Sequence, residues 1–272
     1  FLNESGDDSG TSDFNKISPR MGLLWDPARW INLYFNFSTA FETPTTTELA
    51  NPDGGGFNPE LTTQTAISYE IGMKGAVPGR LPVDYDISLY QMEVDNELVP
   101  FETDGLTGRT FFQNAGETGR KGIEIGLSAE LLPELRASVA WSYINARFDR
   151  FRTADEVLDG NRIPGIPNQH LHAELRFDDP RGWYTVWDML YVDSFYADNS
   201  NLVKTDSYAV SNLKLGYQKE LDSWMISPFV SVNNIFNEEY NSNVRINAGF
   251  GRHYEPAPLR SYYGGVTARL TF

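Results

Sequence analysis

Three groups of residues have the types and spacing to do chemistry. His170, His172 and Glu174 recur at every second position of one segment. In an extended strand that spacing puts all three on one face, where two imidazoles and a carboxylate are metal-ligand types. No fourth ligand accompanies them, and a structural site needs four. The competing reading is the polar wall of a strand, so no metal site is expected. Glu70 and Glu124 occupy similar polar-face positions. They either touch a ligand or partner segment, or form wall ion pairs with nearby Arg or Lys. The third group is Arg162, Tyr240, Arg245, Arg252, His253 and Tyr254, all in long polar connections. Guanidinium forks match carboxylate or catecholate oxygens, and Tyr and His add stacking and hydrogen bonds. That is the chemistry of holding an anionic, oxygen-rich ligand, with an ordinary solvated loop as the alternative. Catalysis is not expected. There is no G-x-S-x-G, the run Gly54-Gly55-Gly56 does not open a helix as a phosphate cradle must, and no cofactor motif is present.

Composition narrows the field. The 272 residues contain no Cys, which excludes a disulfide framework and thiolate metal sites. The formal charge of −15 argues against nucleic acid, which requires a basic footprint. No apolar run reaches the length of a membrane-spanning helix. That does not exclude a transmembrane β-barrel, because half of each of its strands faces a polar lumen. The 14 Tyr, 17 Phe and 6 Trp suit the aromatic belts of such barrels. The chain opens in a polar Gly/Ser/Asp stretch, Asn3 to Asp13, with no signal segment. It is expected to be a fragment cut within a loop.

The positioning elements follow from period two. Ile31, Leu33, Phe35 and Phe37 alternate with Asn32, Tyr34, Asn36 and Ser38. Ile123, Ile125 and Leu127 alternate with Glu124, Gly126 and Ser128; Leu171, Ala173 and Leu175 alternate with His172 and Glu174. The same pattern recurs to the final segment, Arg260 to Phe272, and predicts eleven strands. Their connections alternate strictly between short and long. The short ones lie at Pro27, Pro78, Pro133, Pro180 and Asp222. A β-sandwich has no reason to keep that rhythm, whereas outer-membrane barrels have short periplasmic turns and long extracellular loops. The terminal Phe272 has a use in an interfacial girdle. Ile123, Ile125, Leu127, Val139, Trp141, Leu171, Leu175, Leu213, Leu215 and Leu270 are therefore expected to face lipid. Glu124, Arg136, His172, Glu174, Lys214 and Arg269 are expected to face the lumen.

Several segments resemble, in order, the C-terminal part of the TonB-dependent outer-membrane receptor barrel. Asn58-Pro59-Glu60-Leu61 with Tyr69-Glu70-Ile71-Gly72-Met73-Lys74 resembles its "NP-x-L … Y-E-x-G-x-K" strand. Asn114-Ala115-Gly116 with Gly122-Ile123-Glu124 resembles "N-A-G … G-x-E", and Ile163 to Pro167 resembles "I-P-G-x-P". Val232-Asn233-Asn234-Ile235-Phe236-Asn237 through Tyr240 resembles "V-x-N-L-F-D-x-x-Y", and Arg260 to Phe272 completes the set.

The resemblance implies an all-β, antiparallel transmembrane barrel, of which residues 1–272 are one C-terminal part. Eleven strands would be half of a barrel of about 22 strands, with the plug domain lying outside this chain. It further implies a bacterial outer-membrane receptor, not an enzyme. Its ligand would be a scarce solute, a ferric siderophore or other iron complex first, cobalamin or a saccharide as alternatives. Uptake would be energised by the TonB complex acting on the plug. The implied partners are that complex, the ligand, outer-membrane lipid and lipopolysaccharide, and no nucleic acid. A small passive channel is the alternative suggested by chain length.

Overall fold

The computed structural model describes residues 2–3, 6–7, 11, 13–52, 56–102, 110–153 and 156–270. Phe272, Gly54 and Gly55, on which two of the readings above rest, lie outside them. Eleven long strands form one antiparallel meander. They are β1 (Arg20–Ala28), β2 (Ile31–Glu42), β3 (Gln64–Val77), β4 (Val83–Asp95), β5 (Glu117–Leu132), β6 (Leu135–Arg150), β7 (Gln169–Asp178), β8 (Trp183–Val192), β9 (Tyr208–Tyr217), β10 (Trp224–Asn233) and β11 (Ser261–Leu270). Each pairs with its neighbour in sequence. A short strand, Lys219–Leu221, continues β9 alongside β10. Among the described residues β1 and β11 do not pair, so the sheet is open. β5 and β6 reach 16 residues each, about three times the usual globular strand.

The register shows why alternation specifies this wall. Ile125 stands opposite Trp141, Trp141 opposite Leu171, and Leu213 opposite Trp187. On the other face Glu124 meets Ser142, Glu174 meets Ser138 and Asp188, and Arg136 meets Glu130. The expected apolar and polar sets thus occupy opposite faces. A slip of one residue would exchange them entirely. Among the described residues no second layer covers the apolar face, and Leu127, Leu175, Leu213, Leu215 and Leu270 lie exposed on it.

The polar face carries a repeated close packing. Tyr34 stands opposite Gly72, Tyr90 opposite Gly122, and Tyr184 opposite Gly216. Each ring lies across its glycine so closely that a Cβ there would fall 2.2–2.4 Å from the phenol ring. Only glycine leaves room for the ring to cover the backbone.

The ends of the wall follow from local chemistry. The 179–182 turn closes with Gly182 at φ 98°, and the Asp179 carboxylate accepts from the Arg181 amide and guanidinium. These bonds hold the Asp179 carboxyl down to about 2. One expectation needs correction: residues 26–29 are not simply a turn. β1 runs on to Ala28, and Asp26-Pro27 forms a bulge in its pairing with β2, a position that tolerates proline's missing N–H.

The long connections are not featureless. Leu98–Glu102 pairs with Thr110–Asn114, and Asn241–Val244 pairs with Tyr254–Pro256. At this end lies a continuous apolar core: Val99, Ala115, Ala146, Phe148, Phe151, Leu158 and Ile163. Ile144, Ala146 and Phe148 share the face of Ser142 and Arg136 on β6, so the loops fold over the polar face.

Candidate functional site

The long loops of the C-terminal half enclose a cavity of about 480 Å³. Its lining includes Lys204, Asp206, Tyr208, Glu239, Tyr240 and Tyr254. Three local devices hold these side chains in place.

The first is the turn after β10. Asn234 and Asn237 take left-handed φ values of 53° and 58°, which asparagine tolerates better than most residues. The Asn234 side chain accepts from the Glu238 amide at 2.7 Å and donates to its carbonyl at 2.8 Å. Its own amide donates to Asn212 Oδ1 of β9 at 2.9 Å. This doubly bonded turn delivers Glu239 and Tyr240 to the cavity. Tyr240 then stacks on Tyr208 at the head of β9, with ring centroids 4.6 Å apart and planes at 30°.

The second device is the 193–207 loop. Asp198 accepts from the amides of Leu202 and Val203 at 3.1 and 2.7 Å. Thr205 Oγ1 accepts from the Phe195 amide at 3.0 Å. The loop is thereby folded back on itself, and Lys204 is held with its ammonium 5.9 Å from the centre of the Tyr196 ring. The third is the hairpin in the 234–260 connection. Arg245 and His253 are bonded across its turn, amide to carbonyl at 2.8 Å and carbonyl to Nδ1 at 3.1 Å. The Tyr254 hydroxyl donates to the Lys204 carbonyl at 3.1 Å, joining hairpin to loop.

Asn247 joins its own connection to two other loops. Its amide donates to the Ala197 carbonyl at 2.8 Å, and its side chain donates to the Pro100 carbonyl at 2.7 Å. Its Oδ1 accepts from the Asn199 amide at 2.9 Å. The Asn199 carbonyl in turn accepts from Asn161, and Asn201 bonds both backbone groups of Arg162. The neighbouring residue, Ile246, lines the cavity.

Of the six loop residues singled out from sequence, Tyr240 and Tyr254 line this cavity. Arg162, Arg245, Arg252 and His253 are not in its lining; Arg162 is tied to Asn201 through its backbone, and His253 is buried in the hairpin turn. Lys204, Asp206, Tyr208 and Glu239 were not foreseen. Tyr208 alone had a signal, since it shares the alternating face of Asn212 and Lys214. His170, His172 and Glu174 form a row along β7, opposite Ser142, Ala140 and Ser138. Among the described residues no three His, Asp or Glu side chains are grouped so that they could hold a metal ion.

A single antiparallel wall with a bare apolar face, short turns at one end and interlocked loops at the other is the architecture of an outer-membrane β-barrel, seen in part. The comparisons specify which. The model of the TonB dependent receptor-like β-barrel matches residues 2–235. The chain belongs to this family, whose members are outer-membrane transport receptors and not enzymes. It is 25% identical over 241 residues to the metal-pseudopaline receptor CntO of Pseudomonas aeruginosa, covering 86% of this chain and 31% of that protein. It is 25% identical over 210 residues to the ferric-pyoverdine BN7/BN8 receptor of Pseudomonas putida, covering 75% and 24%. Among solved structures, the ferric yersiniabactin uptake receptor FyuA of Yersinia pestis superposes with a TM-score of 0.73 at 18% identity, covering 97% of this chain and 39% of that one. The siderophore receptor PiuA of Acinetobacter baumannii gives 0.68 at 18%, covering 92% and 35%. The chain thus spans about a quarter to two-fifths of the length of these relatives.

Proposed function

We propose that the full-length protein resides in the bacterial outer membrane and takes up a metal chelate, with a ferric siderophore as the leading ligand. The observation that carries this is the family match over residues 2–235. The relatives at about a quarter identity carry names of metal-chelate receptors. The energy would come from the TonB complex, through a plug domain outside residues 1–272, and the barrel would close with about 22 strands. The cavity at Tyr208 and Tyr240 is the ligand contact assigned to this part of the chain, with Tyr254 beside it. Arg162, Arg245, Arg252 and His253 serve the same end through the loop framework or at the loop surface. Outer-membrane lipid and lipopolysaccharide would contact the bare apolar face.

The test is growth of a strain lacking the whole gene, supplied with single iron sources. Loss of growth on one ferric chelate supports the reading. Unchanged iron-limited growth, with lost growth on limiting cobalamin or a glycan, overturns the metal part and leaves uptake by this family intact.

A further inference from the structure

The charges around the cavity do not suit the anionic ligand that loop arginines suggest. At the loop end of the wall, three arginines are each joined to a carboxylate. Arg120 reaches Glu97 at 2.5 Å, Arg152 reaches Asp159 at 2.9 Å, and Arg150 bonds Glu117. The cavity is different. Asp206 and Glu239 both line it, both are exposed, and neither has an ion pair or a side-chain hydrogen bond among the described residues. Among the described residues Lys204 is the one Lys or Arg in the lining, against these two carboxylates. The stacked pair Tyr208 and Tyr240 lines it too, with Tyr254.

We infer that this cavity receives a chelate of low net charge that presents an ammonium group, and that it disfavours polyanionic chelates. Two carboxylates without partners among the described residues, lining one cavity with tyrosine rings, are the chemistry of ammonium recognition: ion pairing and hydrogen bonding from the acids, cation–π attraction from the rings. Lys204 supplies one donor for a chelate oxygen. A trianion would meet a site with a surplus of negative charge, in a chain of formal charge −15. Like charges in a concave site slow encounter as well as weaken binding. The polar-face concavity nearer the middle of the wall has the same sign: it gathers Glu70, Asp86 and Glu124 with His170 and His172, and no Lys or Arg among the described residues.

This inference rests on the metal-chelate reading, and the experiment keeps the two apart. Purified full-length receptor is titrated with three complexes. They are a ferric linear trihydroxamate with a free terminal ammonium, the same chelate with that amine acetylated, and the triply anionic ferric tris-catecholate. The ammonium form is expected to bind about five- to tenfold tighter than its acetylated twin, as one or two partly exposed ion pairs would give. Asp206→Asn with Glu239→Gln should erase that difference and improve binding of the tris-catecholate. Both sites are exposed, so the variant is expected to fold; its melting temperature checks this. A tris-catecholate that binds the native receptor as tightly as the ammonium form overturns the inference. So does an ammonium preference that survives in the double variant, or binding of none of the three. All three results leave the uptake reading standing if the strain lacking the gene still loses growth on a ferric chelate. Unchanged growth of that strain on every iron source overturns the reading itself.

Discussion

Phe148 and Leu213 are both large apolar residues on long strands of one sheet, yet they satisfy their surface in opposite ways. Phe148 stands at the loop end of β6, on the polar face, and is 0% exposed. It packs on Phe151 at 4.9 Å between ring centroids, within a core built mostly by loops. Leu213 stands mid-strand on β9 and is 39% exposed, on a face that no protein layer covers among the described residues. The loop assembly folds as a small soluble protein does, by burying its own apolar side chains. The wall leaves that task to its surroundings, and in a membrane the hydrocarbon takes the place of a core. The two regions should therefore respond differently to the same kind of change.

The largest effect is expected at Phe148. Phe148→Ala removes a fully enclosed ring from the loop core and should cost that assembly about 3–5 kcal/mol. The wall strands should keep their protection. Hydrogen exchange on the full-length receptor in lipid separates the outcomes: faster exchange at Leu158 and Ile163 with β9 unchanged is expected. Loss of protection in β9 as well would show that the two regions are one cooperative unit.

Next is Leu213→Arg, which is expected to cost about 2–4 kcal/mol in a bilayer, because a guanidinium at mid-depth loses its hydration. An arginine placed on the polar face instead, at the exposed Ala140 opposite His172, should cost far less. Denaturant titration of the two variants in vesicles makes the comparison. Equal stability of both would sink the assignment of the Leu213 face to lipid. Third is Asn247→Ala, which deletes both side-chain bonds to other loops. Leaving the Asn199 amide and the Pro100 carbonyl without partners should cost about 1–3 kcal/mol, read as faster proteolysis of the loops with an intact barrel.

The same divide explains what could be read from sequence. Wall strands such as β5 and β7 were legible because one simple rule, apolar outward and polar inward at every second residue, governs each position. Their limits were less so: β5 begins at Glu117 and β6 runs on to Arg150, where they leave the expected bilayer span and the alternation loses its cause. The loop core has no such period. Val99, Phe148, Leu158 and Ile163 converge from separate segments by tertiary packing alone. The cavity was half legible. Tyr240 and Tyr254 are aromatic and stand out in polar loops. Lys204, Asp206 and Glu239 are ordinary loop charges until the fold brings them to one cavity.

The smallest effect should come from acid, read at Asp159 in the loop assembly. Asp159 accepts from the Arg152 guanidinium and from the Phe151 amide, and these bonds hold its carboxyl below the ordinary value of 3.8. A carboxyl lowered on folding stabilises the folded loops above its unfolded value. That contribution is lost as pH falls from about 4 through the lowered folded value. The bonded amide belongs to Phe151, whose carbonyl accepts from Leu158, so the loss should appear at these two core residues. Hydrogen exchange followed from pH 5 to pH 3, corrected for intrinsic rates, should show their protection declining while Leu213 and Leu215 stay flat. In Asp159→Asn the decline should vanish. A decline of equal size in the variant would assign the acid response to other carboxylates.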